Sequence, residues 1–257
     1  MAMPHLNLAV ERPGAPEIFL TIQGEGASAG RPAVFVRLSG CNLHCWWCDT
    51  PYTWNWRGAD FAHRETDAGA DRYDPQIEMT VVNAGDAVDR VFALAASPER
   101  VVLTGGEPML QQTALAALAE AIETRAPDTL IEVETNGTIA PKAPFEPLVD
   151  RFNVSPKLVS SRNPKALRRK SSVLAAYAAD PRATFKFVAT APADLDEIDA
   201  LVEEIGARTD RVFLMPEGTT VEALDERAAW LVPAALARGY GYSDRTHIRL
   251  FGDTRGT

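Results

Sequence analysis

The chain has 257 residues, 46% of them hydrophobic and 24% charged, with 17 glycines and 18 prolines, a globular composition that excludes disordered, collagen-like and low-complexity classes. A net charge of −9 argues against a broad nucleic-acid surface, though not against a local basic pocket. No apolar run approaches the ~18–20 residues that cross a bilayer, and Met1–Pro16 lacks a signal-peptide pattern, so a cytoplasmic protein without nucleic-acid or membrane partners is expected.

In chain order, apolar and β-branched runs predict strands at Ala33–Leu38, Val101–Thr104, Leu130–Thr135, Phe152–Val154, Thr184–Val188, Val212–Met215 and His247–Leu250. Helical stripes fall between them: Val88, Val91, Phe92 and Ala95; Leu110, Ala114, Leu118 and Ile122 after Pro108; and Leu195, Ile198, Leu201, Val202 and Ile205. Ala223–Tyr240 reads as a helix interrupted by Pro233. Strand–helix–strand alternation predicts parallel βα units. Six or seven strands fall short of a closed eight-stranded barrel, so the expected α/β fold is an incomplete (β/α) barrel, parallel strands inside and helices outside. A doubly wound open sheet is the alternative. One domain over residues 1–257 is expected, with an N-terminal extension over about 1–32. The polar, aperiodic stretch Trp56–Gln76 is a long insertion, either a lid or a loose loop.

The chain's three cysteines, Cys41, Cys45 and Cys48, lie within eight residues just after the first predicted strand. An odd, tightly spaced set is a poor disulfide framework and a good metal or redox cluster, in keeping with a reducing compartment. Zinc asks for four ligands, and His44, adjacent to Cys45, is badly placed to be the fourth. A four-iron cluster held by three cysteines keeps one iron open for a substrate or cosubstrate. Other marked loops follow later strands: Thr104-Gly105-Gly106-Glu107-Pro108, Glu134–Thr138, Ser155-Pro156-Lys157 and Met215-Pro216-Glu217-Gly218. In parallel α/β folds such loops converge at the carboxyl ends of the strands, so one large site is expected there. Gly105 and Gly106 permit close backbone approach, and Glu107 offers a carboxylate to an ammonium group.

The spacing Cys-x3-Cys-x2-Cys, with Trp47 just before the last cysteine, resembles the signature of radical S-adenosylmethionine (SAM) enzymes. There, three cysteines hold a [4Fe–4S] cluster whose fourth iron chelates SAM, and one-electron reduction yields a 5′-deoxyadenosyl radical. Further motifs sharpen the likeness: Glu17–Gly26, Asp49-Thr50-Pro51-Tyr52-Thr53-Trp54, Glu134–Thr138, Asn153–Lys157 and His247–Asp253. From about Glu17 to the C-terminus, with the insertion as the main departure, the chain resembles the 7-carboxy-7-deazaguanine synthase family of 7-deazapurine (queuosine-type) biosynthesis.

That resemblance implies a lyase reaction on 6-carboxy-5,6,7,8-tetrahydropterin: a radical ring contraction with loss of ammonia, SAM used catalytically and Mg²⁺ assisting. It implies that Ile22, Gln23 and Gly24, in the N-terminal extension, line the pterin pocket, that Arg37 pairs with the substrate carboxylate, and that Thr104 contacts substrate. Thr50 would be the one side-chain ligand of Mg²⁺, with Asp49 as competitor. Gly106, Glu107, Ser155–Lys157 and Met215–Gly218 would border SAM, and the Thr257 carboxylate would fold back to the pterin. No acid–base dyad is expected, since SAM carries the hard chemistry. A flavodoxin- or ferredoxin-like reductant and a homodimer are also implied. The competing readings are a radical SAM activase of a protein partner and a non-enzymatic zinc-stabilised scaffold or redox sensor.

Overall fold

The computed structural model describes residues 3–257. The chain opens with β1 (His5–Arg12), in which Leu6, Leu8 and Val10 are buried while His5 and Asn7 are exposed, the period-two signature of a half-buried strand. A turn with Gly14 in the left-handed region (φ 79°) leads into the two-residue β2 (Ala15–Pro16) and β3 (Ile18–Ile22). Next comes β4 (Pro32–Leu38), the seam of the molecule: β3 pairs with it antiparallel, and the later β6 pairs with it parallel. The insertion carries two one-turn helices, α1 (Arg64–Asp67) and α2 (Pro75–Glu78), before β5 (Met79–Asn83) pairs antiparallel with β1.

From there the chain alternates. It runs α3 (Ala84–Leu94), β6 (Arg100–Gly105), α4 (Gln112–Arg125), β7 (Leu130–Thr135), β8 (Arg151–Val154), α5 (Lys165–Arg168), α6 (Ser171–Ala179), β9 (Ala183–Ala189), α7 (Asp194–Ile205), β10 (Val212–Pro216), α8 (Val221–Arg238), β11 (Gly241–Tyr242) and α9 (Thr246–Phe251). The parallel strands lie in unbroken chain order, β4-β6-β7-β8-β9-β10-β11. A doubly wound sheet must reverse its strand order at a switch point. None occurs among the described residues, so the sheet winds one way as a partial (β/α) barrel. Helical stripes close the outside: Leu115, Leu118 and Ile122 from α4 and Ile198 and Leu201 from α7 join strand residues Leu103, Val133, Phe152 and Leu214 in one buried core.

Four sequence expectations change. His247–Leu250 is helical, part of α9, because the Ile248/Leu250 alternation is not a buried face: Ile248 is buried whereas Leu250 is 60% exposed. Pro233 does not break α8. Pro233 and Ala229, whose carbonyl the missing N–H would have bonded, both sit on the exposed side, where water can hydrate the freed oxygen. Leu110 belongs to a short 3-10 turn ahead of α4 and is half exposed. The antiparallel strands β1, β3 and β5 lie outside the predicted set: β1 alternates buried and exposed positions, whereas β3 (Ile-Phe-Leu-Thr-Ile) and β5 (Met-Thr-Val-Val-Asn) are five-residue segments that are only partly buried.

Candidate active site

The carboxyl-end loops of β4, β6, β7, β8 and β10, with Lys186 and Val188 of β9, line a cavity of about 370 Å³. The cysteine loop forms one wall, with Cys41, Cys45 and Cys48 all lining it as free thiols. Each sulfur has a polar neighbour. The Leu43 N–H donates to Cys41 Sγ (3.5 Å), Asn163 Nδ2 donates to Cys45 Sγ (3.3 Å), and Thr50 Oγ1 lies 3.7 Å from Cys48 Sγ. Burial pushes the Cys45 thiol up to about 12, and moves Cys41 and Cys48 in the same direction. Neutral thiols gain little from such donors, whereas thiolates gain charge-assisted bonds. The set therefore fits metal-bound thiolates. Among the described residues no three His, Cys, Asp or Glu side chains are already gathered around one point. Thiolates on separate irons of a cluster need no such convergence. On the same wall the Trp47 indole nitrogen is buried without a hydrogen-bond partner, a donor left for a bound group.

The glycines after β6 perform the close approach expected of them, and their neighbour is the cysteine loop itself. A Cβ on Gly106 would collide with the Gly40 carbonyl, and Gly105 (φ 119°) is packed on the Leu38 backbone. The Gly106 N–H donates to Leu38 O and the Glu107 N–H to Gly40 O, both at 2.9 Å, so the two loops form one rigid unit. Glu107 is fully buried behind that wall and does not line the cavity. Its carboxylate accepts from Met109 N–H (3.0 Å), Thr135 Oγ1 (2.8 Å) and Asn136 N–H (2.7 Å). Replacing it by Leu strands three donors at about 1–3 kcal/mol each. The expected result is a loss of roughly 3 kcal/mol or more, read as a lower urea midpoint of the cluster-free protein; an unchanged midpoint contradicts that role.

A buried charge network lines the same cavity and reaches the cysteine loop through Asp49. Glu25 takes Lys186 on Oε2 and Arg245 Nε on Oε1 (2.9 Å), with His247 Nε2 3.7 Å away. Arg245 continues to Asp49, and Lys186 Nζ approaches Glu134 Oε1 at 3.7 Å. Burial alone would raise the Glu25 pKa, but Lys186, Arg245 and His247 together hold it well below the ordinary carboxylate range. Asp49, the foreseen competitor of Thr50 for a cation, is thus engaged by Arg245.

Of the residues expected at substrate, Ile22, Gln23, Gly24, Arg37, Thr104 and Thr257 all line the cavity. The Gln23 side chain is already engaged: Nε2 donates to Glu132 (3.0 Å) and Glu134 (3.2 Å), and Oε1 accepts from the Glu25 N–H. Thr104 Oγ1 donates to Glu134 (2.9 Å). Arg37 engages Glu17 through Nε alone (2.6 Å); among the described residues its two terminal nitrogens have no acceptor. Of those expected at SAM, Gly106, Ser155, Lys157, Met215 and Glu217 line the cavity, whereas Glu107, Pro156, Pro216 and Gly218 stand behind it. Glu217 also meets Arg64 of the insertion (2.7 Å) and Arg227 (3.2 Å).

The insertion is a packed cover. Phe61 stacks on His44 (centroids 3.4 Å apart), Trp46 Nε1 donates to Asp67 (2.7 Å), and the Arg64 N–H donates to the Trp46 carbonyl (2.9 Å), while Glu65 and Tyr73 reach the cavity. The tail after α9 also lines the cavity, and Arg255 stacks on Tyr52 (3.6 Å) and binds Glu78 (2.6 Å).

The Radical SAM superfamily signature matches residues 35–179. The chain is 38% identical to the 7-carboxy-7-deazaguanine synthase of Halobacterium salinarum, covering 92% of this chain and 90% of that one. It is 36% identical to the synthase of Pyrobaculum aerophilum, covering 93% and 95%. The chain belongs to the 7-carboxy-7-deazaguanine synthase family. The same name attaches to a relative in Rhodopirellula baltica at 34% identity, covering 94% of this chain and 87% of that one. The fold agrees with the crystal structure of QueE from Escherichia coli, at a TM-score of 0.65 and 24% identity over 94% of this chain and 95% of that one. Membership in the synthase family disfavours both the activase and the zinc-scaffold readings. Sequence reasoning within this family pattern missed Glu25, Lys186, Arg245 and His247 as site residues. Glu25 and His247 stand inside the motifs that carried the likeness, whereas Lys186 sits mid-strand in β9 and Arg245 just before α9, with no motif to mark them.

Proposed function

We propose that this protein is a radical SAM lyase converting 6-carboxy-5,6,7,8-tetrahydropterin to 7-carboxy-7-deazaguanine in 7-deazapurine biosynthesis. The observation that carries the reading is that one cavity is lined both by three thiols and Trp47 and by Arg37 with the Glu25–Lys186–Arg245 network. The thiolates of Cys41, Cys45 and Cys48 would hold a [4Fe–4S] cluster with one open iron, which with SAM supplies the hydrogen-abstracting chemistry. The chain's own residues bind, orient and exclude water. The free edge of Arg37 suits the substrate carboxylate in a bidentate pair. The buried network offers donors and acceptors, already fixed by one another, to the polar edge of the pterin. Thr50, beside Cys48 and with Asp49 engaged elsewhere, would hold Mg²⁺, a cation that tolerates few protein ligands. Gly106, Ser155, Lys157, Met215 and Glu217 would border SAM, and Thr257 would meet the pterin. The insertion and tail narrow access, as a site that must keep water from reactive intermediates requires.

The wider assignment completes the reading: a cytoplasmic homodimer, reduced by a flavodoxin- or ferredoxin-like donor. Among the described residues no helix is long and apolar enough to cross a membrane. The test is anaerobic incubation of the reduced, cluster-loaded protein with SAM, Mg²⁺ and the carboxytetrahydropterin. A deazapurine product and released ammonia are expected; SAM cleavage without either refutes the substrate. In that assay Arg37→Lys keeps the charge and loses the planar fork, so kcat/KM should fall about tenfold or more, roughly 1.4 kcal/mol of lost binding, chiefly through KM. An unchanged KM would remove Arg37 from the carboxylate.

A further inference from the structure

The polar neighbours of Cys41 and Cys48 come from the cysteine loop itself, but the donor to Cys45 comes from 118 residues away. Asn163, 7% exposed, sits in the loop after β8, between a short 3-10 turn at Val159–Ser161 and α5. Its amide orientation is determined by chemistry. Oδ1 accepts the His44 N–H at 2.8 Å, and a flipped amide would put two donors face to face there, so Nδ2 must point at Cys45 Sγ, 3.3 Å away. The loop is clamped to this position. The Trp46 N–H donates to the Ser161 carbonyl (3.0 Å), and the Arg162 guanidinium lies 3.8 Å over the Trp46 ring. Arg162 has φ 62°, the one non-glycine residue in the left-handed region among the described residues, an unfavourable conformation that here delivers the next residue to the sulfur.

We infer that Asn163 is a positioning residue that tunes the cluster: its side-chain N–H bonds the Cys45 thiolate and raises the cluster's reduction potential. One-electron reduction adds negative charge to the cluster and its sulfurs, so a donor aimed at one sulfur stabilises the reduced state more than the oxidised one. The inference rests on the cluster reading proposed above.

The test is a redox titration of the reconstituted protein, with iron and sulfide content measured and the reduced cluster followed by electron paramagnetic resonance. Asn163→Leu removes the donor. Asn163→Asp is isosteric, keeps an acceptor for the His44 N–H, and sets an oxygen against the sulfur. Both should hold a full cluster whose equilibrium constant for reduction falls about tenfold, about 59 mV for a one-electron couple. Full clusters at the wild-type midpoint in both variants overturn the inference while leaving the cluster reading intact; a wild-type protein that binds no cluster overturns both. Should the variants fail to load, wild-type protein with nitrogen-15 in its asparagine side chains decides. The reduced cluster should show hyperfine coupling to an amide nitrogen, and absence of coupling overturns the inference. Asn42, the asparagine within the cysteine loop, aims its amide at Thr138 (2.8 Å).

Discussion

Cys45→Ala should abolish both cluster and turnover while leaving the fold standing. Cys45 is the most buried of the three thiols and the middle ligand of the loop. Without it a cubane would be anchored at two corners only, too few to hold it against loss to solvent. Iron and sulfide should fall to background after reconstitution, the brown colour should be absent, and turnover should drop by about three orders of magnitude or more, since no side chain can substitute for the electron-transfer chemistry. The fold should survive, because an unligated Cys behaves as a small apolar side chain and its truncation costs about 1 kcal/mol. Retained turnover in this variant would refute the three-thiolate cluster.

The second large effect is on stability. Glu25→Ala should destabilise the protein by about 3–5 kcal/mol, because it leaves Lys186 and Arg245 buried without their shared counter-charge. The pH dependence follows from the same geometry. The folded-state pKa of Glu25 lies well below the ordinary 4.5, so its contribution is present above that value and fades as pH falls through the depressed one. Asp49, lowered beside Arg245 despite its burial, acts in the same sense. Chemical denaturation from neutral pH into the acid range should therefore show a steep loss of wild-type stability and a flatter limb in the variant. A wild-type acid limb no steeper than that of Glu25→Ala would mean the carboxylate is not held by its cations.

Most of the barrel was legible because its strands are buried on both faces and read as continuous runs such as Val101-Val102-Leu103. β1 and β5 escaped because one strand spends alternate positions on solvent and the other is only partly buried. α9 was misread since a six-residue segment with Leu250 and Phe251 exposed carries no helical stripe. At the site, the cysteine wall was legible from spacing alone. The charged wall was not: Glu25, Lys186 and Arg245 come from separate parts of the chain, and a lone charged residue in sequence looks like a solvated one until the barrel folds it inward. Glu107 shows a structural role that the motif does not reveal. Its position in Gly-Gly-Glu-Pro pointed to a ligand, yet its carboxylate is consumed in holding the loops after β6 and β7 together.

The cluster enriched in iron-57 offers the most direct test, by Mössbauer spectroscopy before and after SAM is added. Three protein thiolates and one open vertex predict that a single iron of the four changes its signal when the nucleotide binds, and that the other three do not. Four irons indifferent to SAM, or a mononuclear spectrum, would contradict the account at its root.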